Sequence, residues 1–245
     1  KNQKKKISKI WNNGIYEVIV YYKKSNTSLP FISNYQKAKR KQAAYKKGYS
    51  IAINEIGSFD LTHLNVVYPA GIFALYLNKK YKLPFILTEH WTAYHSESKQ
   101  SFNVWEKYII QKISAKASLI SPVSVQLKND MQAFGINNKF KVIPNVVDTH
   151  IFFPKVEQTE KTKIGILHLS NLRDEQKNIT GILNVIKKLS QQRIDFIFTL
   201  VGNSDIEQFK QKAMALNIPQ EMIHFEGQKN TKEVASLMNK NNLFL

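Results

Sequence analysis

The chain has 245 residues, 43% of them hydrophobic, enough for one large domain or two ordinary ones with real cores. Its apolar runs fall far short of the roughly 20 residues a spanning helix needs, and the absence of cysteine excludes disulfides and thiolate metal sites and fits a cytoplasmic protein. The formal charge is +18, with thirteen Lys and Arg against one acid, Glu17, in residues 1–50, a field that attracts nucleic acid, anionic headgroups or phosphorylated substrates.

The lysine-rich start leads to Trp11-Asn-Asn-Gly14 rather than to a signal-peptide core, and residues 1–12 read as the tail of a unit whose first strand is missing. Ile15–Tyr22 is strand-like and 34–48 a very basic helix. A strand follows over 61–67, a helix over 70–80 that ends before Pro84, and a strand over 84–90. Phe102, Trp105, Ile109, Ile113 and Ala117 recur at helical spacing. A strand near 119–122, a helix with Leu127, Met131 and Phe134 on one face, and a strand over 140–144 complete the first half.

Polar residues around Pro154 break this rhythm and read as a linker, 149–162, between a domain over 1–148 and a second over 163–245. The second half runs strand 163–169, helix 178–192, strand 195–202, helix 205–217, strand 222–227 and helix 231–240. It ends on Asn242-Leu-Phe-Leu245, which starts like a buried strand and stops. The expected architecture is α/β, two Rossmann-like doubly wound domains facing a cleft, both incomplete.

Ligands of such sheets lie beyond the carboxyl ends of the strands. That rule selects His63 and Asn65, Thr88 to His90, Ser121 to Ser124, Pro144-Asn145, the Ser170 loop, Gly202-Asn203, and Gly227-Gln228-Lys229. His90 ends an apolar strand before the loop WTAYHSES and is expected at the cleft mouth, whereas His63 is expected in the core or behind the site. His63, His90 and His95 lack the spacing of a metal motif such as HExxH, so no metal site is expected. In SNLRDEQKN, residues 170–178, Arg173 and Lys177 stand where the helix dipole is already positive. Either an anion binds there, on free N–H groups, or Asp174 and Glu175 neutralise their neighbours. No Walker loop or dinucleotide fingerprint is present.

Taken in order, Asp60-x-x-His63, Thr88-x-His90, Pro144-Asn-Val-Val-Asp148 with Phe152, the small-residue loop ending in Lys177, Val201-Gly202 and Phe225-Glu-Gly227 resemble the family 4 retaining glycosyltransferases of the GT-B fold, over roughly residues 60–245. The resemblance implies a nucleotide-diphosphate sugar held mainly by the second domain, an acceptor held by the first, and no metal or other cofactor. It implies that Lys177 contacts the donor diphosphate and that His90 lies near the transferred sugar. Ser170, Asn171, Gly202 and Asn145 would border the donor, with Gly227, Gln228 and Lys229 around the base. The family's usual arginine falls on Asn171 here, so Arg173 is the expected second diphosphate ligand, as in a Ser-Asn-Phe-Arg variant. The usual Asn-Gly-Val-Asp is Asn145-Val-Val-Asp148.

The resemblance also places a glycine-rich loop ahead of residue 1 and an E-x7-E pair after residue 245, so these residues alone are expected to be inactive or nearly so. The expected acceptor is a surface polysaccharide, a glycolipid or a small molecule, and the basic first 50 residues are expected to hold the enzyme against anionic membrane at its inner face. A nucleotide-sugar 2-epimerase of the same fold is the alternative. A nucleic-acid-binding protein has the charge in its favour, but no helix-turn-helix, zinc finger or aromatic RNP motif.

Overall fold

Residues 7–23, 30–94, 102–154, 162–202 and 206–245 are described in the structure, a computed structural model. They fall into two units, Lys1–Asn145 and Val146–Leu245. The first begins with a hairpin that the α/β rhythm of the sequence did not lead us to expect. Strand β1 (Ile7–Asn12) runs antiparallel to β2 (Ile15–Val20), with Ile7 opposite Val20 and Asn12 opposite Ile15. Asn13 and Gly14 make the turn at φ of 47° and 79°. Two positive φ values in a two-residue loop match the right-handed twist of the paired strands, and Asn-Gly adopts them at least cost. Residues 7–12 therefore form a strand, paired with β2, where the sequence reading expected none.

The basic helix is longer than its charged part suggested. It forms α1 (Pro30–Ile56), followed by β3 (Thr62–Asn65), α2 (Gly71–Tyr81), β4 (Phe85–Glu89), α3 (Val104–Lys116), β5 (Leu119–Pro122) and α4 (Val125–Ala133). The strands β3, β4 and β5 form a parallel sheet in that order. Asn103 starts α3 with a reciprocal capping box to Glu106, which satisfies two backbone N–H groups at the helix start. Phe85, Leu87, Ile110, Ile113, Ile120 and Met131 are buried together between sheet and helices. The strand expected over 140–144 is reduced to a single parallel bridge from Phe140 to Ile120, with Ile143 N–H donating to the Pro122 carbonyl at 3.1 Å. Ile120 exchanges bonds with the backbone of Lys139 and Lys141, but Pro122 has no N–H to donate back, so the pairing stops at one bridge.

The second unit consists of β6 (Ile164–Ser170), a single turn α5 (Asp174–Lys177), α6 (Ile179–Ser190), β7 (Phe196–Gly202), α7 (Glu207–Ala215), β8 (Ile223–Glu226), α8 (Thr231–Lys240) and β9 (Leu243–Phe244). All strands are parallel, in the order β8-β7-β6-β9. Ile179, Leu183 and Ile186 recur at helical spacing and are buried against Phe196, Phe198 and Leu200 of β7. Each such side chain contributes about 1.5–3 kcal/mol by leaving water. The strand β9 pairs with β6, and Leu243 and Phe244 are 55% and 57% exposed.

Candidate functional site

In the second unit the carboxyl ends of β6, β7 and β8 carry most of the residues singled out from the sequence. At the end of β6 a chain of hydrogen bonds fixes the loop. His168, 5% exposed, lies with Nδ1 2.8 Å from the Leu245 carbonyl oxygen and Nε2 3.0 Å from Ser170 Oγ. Ser170 Oγ in turn accepts from Leu172 N–H at 3.1 Å. The consistent assignment puts the proton on Nδ1 and lets the Ser170 hydroxyl donate to Nε2. Burial holds the His168 pKa below its usual value. The Leu245 carbonyl opposes that shift, and the nearby Lys177 charge adds to it.

Beyond Ser170 the backbone turns sharply. Leu172 has φ of 53° yet is 2% exposed, so burial of its side chain holds a conformation that leucine otherwise avoids. Leu172 packs over the end of β7, where only glycine fits: a Cβ on Gly202 would fall 2.6 Å from the Ser170 carbonyl oxygen. Gly202 therefore shapes the loop from below. The side chain of Asn171 accepts from Arg173 N–H at 3.2 Å.

The nine-residue segment does not open one long helix. Asp174 to Lys177 make one turn, Asn178 takes a left-handed conformation, and α6 begins at Ile179 with the Asn178 side chain accepting from Gly181 N–H. Asp174 folds back onto the start of α6. Its Oδ1 accepts from Thr180 N–H at 2.8 Å, and its Oδ2 accepts from the Thr180 hydroxyl and lies 3.2 Å from Lys212 Nζ. These contacts, the Thr180 hydroxyl first, hold the Asp174 carboxyl below its usual pKa.

Asp174 thus turns to Thr180 and Lys212 rather than neutralising Arg173 or Lys177. An internal carboxylate fills the N-terminus of α6, while Arg173 and Lys177 remain exposed, with no ion-pair partner among the described residues. Lys177, expected to close the loop before the helix, lies in the last turn of the short α5, next to the Asn178 cap of α6.

At the end of β8, Gly227 and Gln228 are exposed and Lys229 Nζ pairs with Glu226 Oε2 at 2.9 Å, which raises the Lys229 pKa. Asn203 lies outside the described residues.

In the first unit β4 ends in Glu89, fully buried and singled out from the sequence only as the neighbour of His90. Its Oε1 accepts from His90 and Trp91 N–H, each at 3.0 Å, and its Oε2 from Val67 N–H at 3.0 Å and Tyr94 O–H at 3.4 Å. Burial pushes the Glu89 carboxyl up, against the pull of those four donors. Tyr94 is also pushed up, by burial and by the adjacent carboxylate. The brace leaves the His90 side chain exposed.

His63 is exposed rather than in the core, with Nε2 2.8 Å from Thr88 Oγ1, because strand alternation turns Leu64 to the core and His63 to the opposite face. Ser124 caps α4 through Leu127 N–H, while the buried Ser121 hydroxyl has no partner among the described residues. Asn145 is exposed, and His95 lies outside the described residues. Among the described residues no group of three or more His, Asp or Glu could hold a metal ion, and no helix is long and apolar enough to cross a membrane.

Sequence reasoning missed His168 and named Glu89 only as part of the Thr88–His90 strand end, without its bracing role. Each stands in an otherwise apolar strand at its carboxyl end, and that placement is the signal that could have found them.

No curated protein matches the chain. Among solved structures, a trehalose-6-phosphate structure from E. coli bound with UDP-2-fluoro glucose has 12% identity and a TM-score of 0.67, covering 96% of this chain and 67% of that one. The apo form of the lipopolysaccharide outer core galactosyltransferase WaaB has 19% identity and a TM-score of 0.54, covering 89% and 55%. A putative UDP-N-acetylglucosamine 2-epimerase from Listeria monocytogenes has 14% identity and a TM-score of 0.54, covering 84% and 56%. The chain thus spans between about half and two thirds of those three chains, and at these identities the likeness shows the shared GT-B fold. The sequence profile of Glycosyltransferase Family 4 matches residues 15–151, more than half of the chain, which therefore belongs to that family.

Proposed function

We propose that the protein transfers a sugar from a nucleotide-diphosphate sugar to an acceptor, with retention of configuration, and that the second unit binds the donor diphosphate. The observation that carries this reading is the exposed pair Arg173 and Lys177 beyond β6, two cations without an internal counter-ion among the described residues. The Asp174–Thr180–Lys212 cluster supports it. By filling the α6 N-terminus and holding the turn, it leaves Arg173 and Lys177 as the groups that meet a diphosphate.

In the proposed step the bond between the anomeric carbon and the diphosphate oxygen breaks, and the leaving nucleotide carries the charge. Lys177 and Arg173 neutralise that charge as it develops. The acceptor hydroxyl attacks from the face the phosphate leaves and gives its proton to the departing phosphate oxygen, so no protein nucleophile is needed. His90, exposed and held through its own N–H by Glu89, is assigned to the transferred sugar. Ser170, Asn171, Gly202 and Asn145 are assigned to the donor, and Gly227, Gln228 and Lys229 to the base. A surface glycan or glycolipid is the proposed acceptor class.

Titration calorimetry with UDP, GDP and ADP tests the donor site. One of them should bind, and Lys177→Ala should weaken it about 10- to 100-fold, the worth of one charge-assisted hydrogen bond. No binding at millimolar nucleotide, or unchanged binding by the variant, refutes the assignment. The epimerase reading rests on the likeness to the Listeria fold alone. Product analysis separates the two, since transfer consumes an acceptor and epimerisation does not.

A further inference from the structure

Helix α3 (Val104–Lys116) turns Ile110, Ile113 and Ser114 into the core of the first unit. At about 100° per residue the opposite face carries Val104, Trp105, Tyr108, Lys112, Ala115 and Lys116, all exposed. An outward helix face is ordinarily polar throughout. Here its first half is apolar, with Val104 88%, Trp105 71% and Tyr108 51% exposed, and its second half is basic. Trp105 shares the four-residue spacing of Ile109 and Ile113, but each step of four rotates about 40° around the helix, which carries it out of the buried stripe.

The Trp105 and Tyr108 rings lie 5.9 Å apart at 33°, side by side rather than edge to face. Lys112 Nζ is 5.7 Å from the Tyr108 ring centre, so the aromatic platform passes directly into the cations. From Trp105 to Lys116 the track is about 16 Å long, at the helical rise per residue. Glu106, the one acid of α3, is turned away into the capping box with Asn103, which leaves no carboxylate of the helix on this face.

We propose that this face holds an anionic glycan, with a sugar ring stacked on Trp105 and Tyr108 and its neighbouring carboxylate or phosphate groups paired with Lys112 and Lys116. A membrane-surface helix carries its apolar and basic residues on opposite faces. In α3 they follow one another along a single face, an order that matches a linear polymer. A second copy of a chain at +18 is repelled. Single-stranded nucleic acid is held in a basic groove on aromatics that stack successive bases, whereas α3 offers a convex face with its aromatics at one end. The inference rests on the transfer reading above, which supplies a glycan as acceptor, and adds that glycan's charge and the place that holds it.

The test is fluorescence polarisation of two labelled probes, an oligogalacturonate and a phosphorylated mannan fragment, at about 50 mM salt, where charge contacts are weakly screened. At least one should bind, and its methyl-esterified or dephosphorylated form should not. Trp105→Ala should weaken binding about three- to tenfold, the loss of one stacking contact. Lys112→Glu with Lys116→Glu should weaken it about tenfold or more, as two attractions become repulsions. Lys37→Glu with Lys39→Glu on α1 changes the net charge equally and should leave binding within about twofold. All five positions are exposed, so each variant should keep the melting temperature of the parent. The proposal is overturned if neither probe binds at millimolar concentration, if Trp105→Ala changes nothing, or if the α1 reversal weakens binding as much as the α3 reversal. It is overturned equally if a uridylate oligomer or anionic vesicles bind this face more tightly than either glycan. Nucleotide titration of the Trp105→Ala chain should match the parent, so loss of the glycan site leaves the donor site standing, and a failed nucleotide titration with glycan binding intact removes the transfer reading alone.

Discussion

Lys177, Arg173 and His90 were named from the sequence, and the structure adds what holds them. Glu89 gathers the N–H groups of Val67, His90 and Trp91 in a fully buried position. Replacing it with alanine removes the acceptor of these three N–H groups and of the Tyr94 hydroxyl, each costing about 1–3 kcal/mol when buried and unpaired. Glu89→Ala should therefore destabilise the protein by about 3 kcal/mol or more, read by urea unfolding. The same variant should raise amide exchange at 90 and 91 before the rest of the unit.

His168 gives a pH dependence of definite sign. Its folded pKa lies below 6.5 because burial opposes the charged form. Between the folded value and 6.5 the unfolded chain binds more protons, so stability falls as pH drops through that window and levels off below it. The variant His168→Gln cannot titrate, and its loss of stability between pH 7.5 and 5.5 should be smaller than that of the parent. An equal loss would assign the dependence to other groups. Neither role was legible from composition or motif, because a buried Glu and a buried His acquire their partners only when the strands pair.

The elements show where local chemistry sufficed. Helix α8 (Thr231–Lys240) has the bounds its sequence suggests, since Asn230 and Glu233 form a capping box and no competing signal lies nearby. The hairpin was legible in principle: Asn13-Gly14 between apolar runs is a strong turn signal, and the surrounding α/β rhythm overrode it. Gly14→Val should cost about 1–2 kcal/mol, the penalty for a side chain in the left-handed region. It should loosen the β1–β2 amides in hydrogen exchange without moving those of β6 and β7. The break between α5 and α6 was less accessible. Asn178 can cap a helix or continue one, and the choice was made by Asp174, which reaches Thr180 and Lys212 of two different helices.

For the whole molecule, the +18 charge is a fact of composition, and α1 displays its part of it openly, with Lys37, Lys39, Lys46 and Lys47 exposed. Binding to vesicles containing about a third anionic lipid should be measurable at 50 mM salt and fall several-fold by 500 mM, as the Debye length shrinks from over 10 Å to a few. Sedimentation with neutral vesicles should show none, and binding insensitive to salt would refute an electrostatic attachment. The α/β class, the order of most elements and the family resemblance were determined by the sequence alone, because apolar periodicity and turn chemistry act over a few residues. Tertiary structure decided that His63 is exposed on an edge strand, that Asp174 fills the start of α6 so that Arg173 and Lys177 face outward, and that Trp105 and Tyr108 lie on the outward face of α3. Those outcomes depend on which strands pair and which side chains meet across 25 to 77 residues of chain, a distance that local pattern does not span.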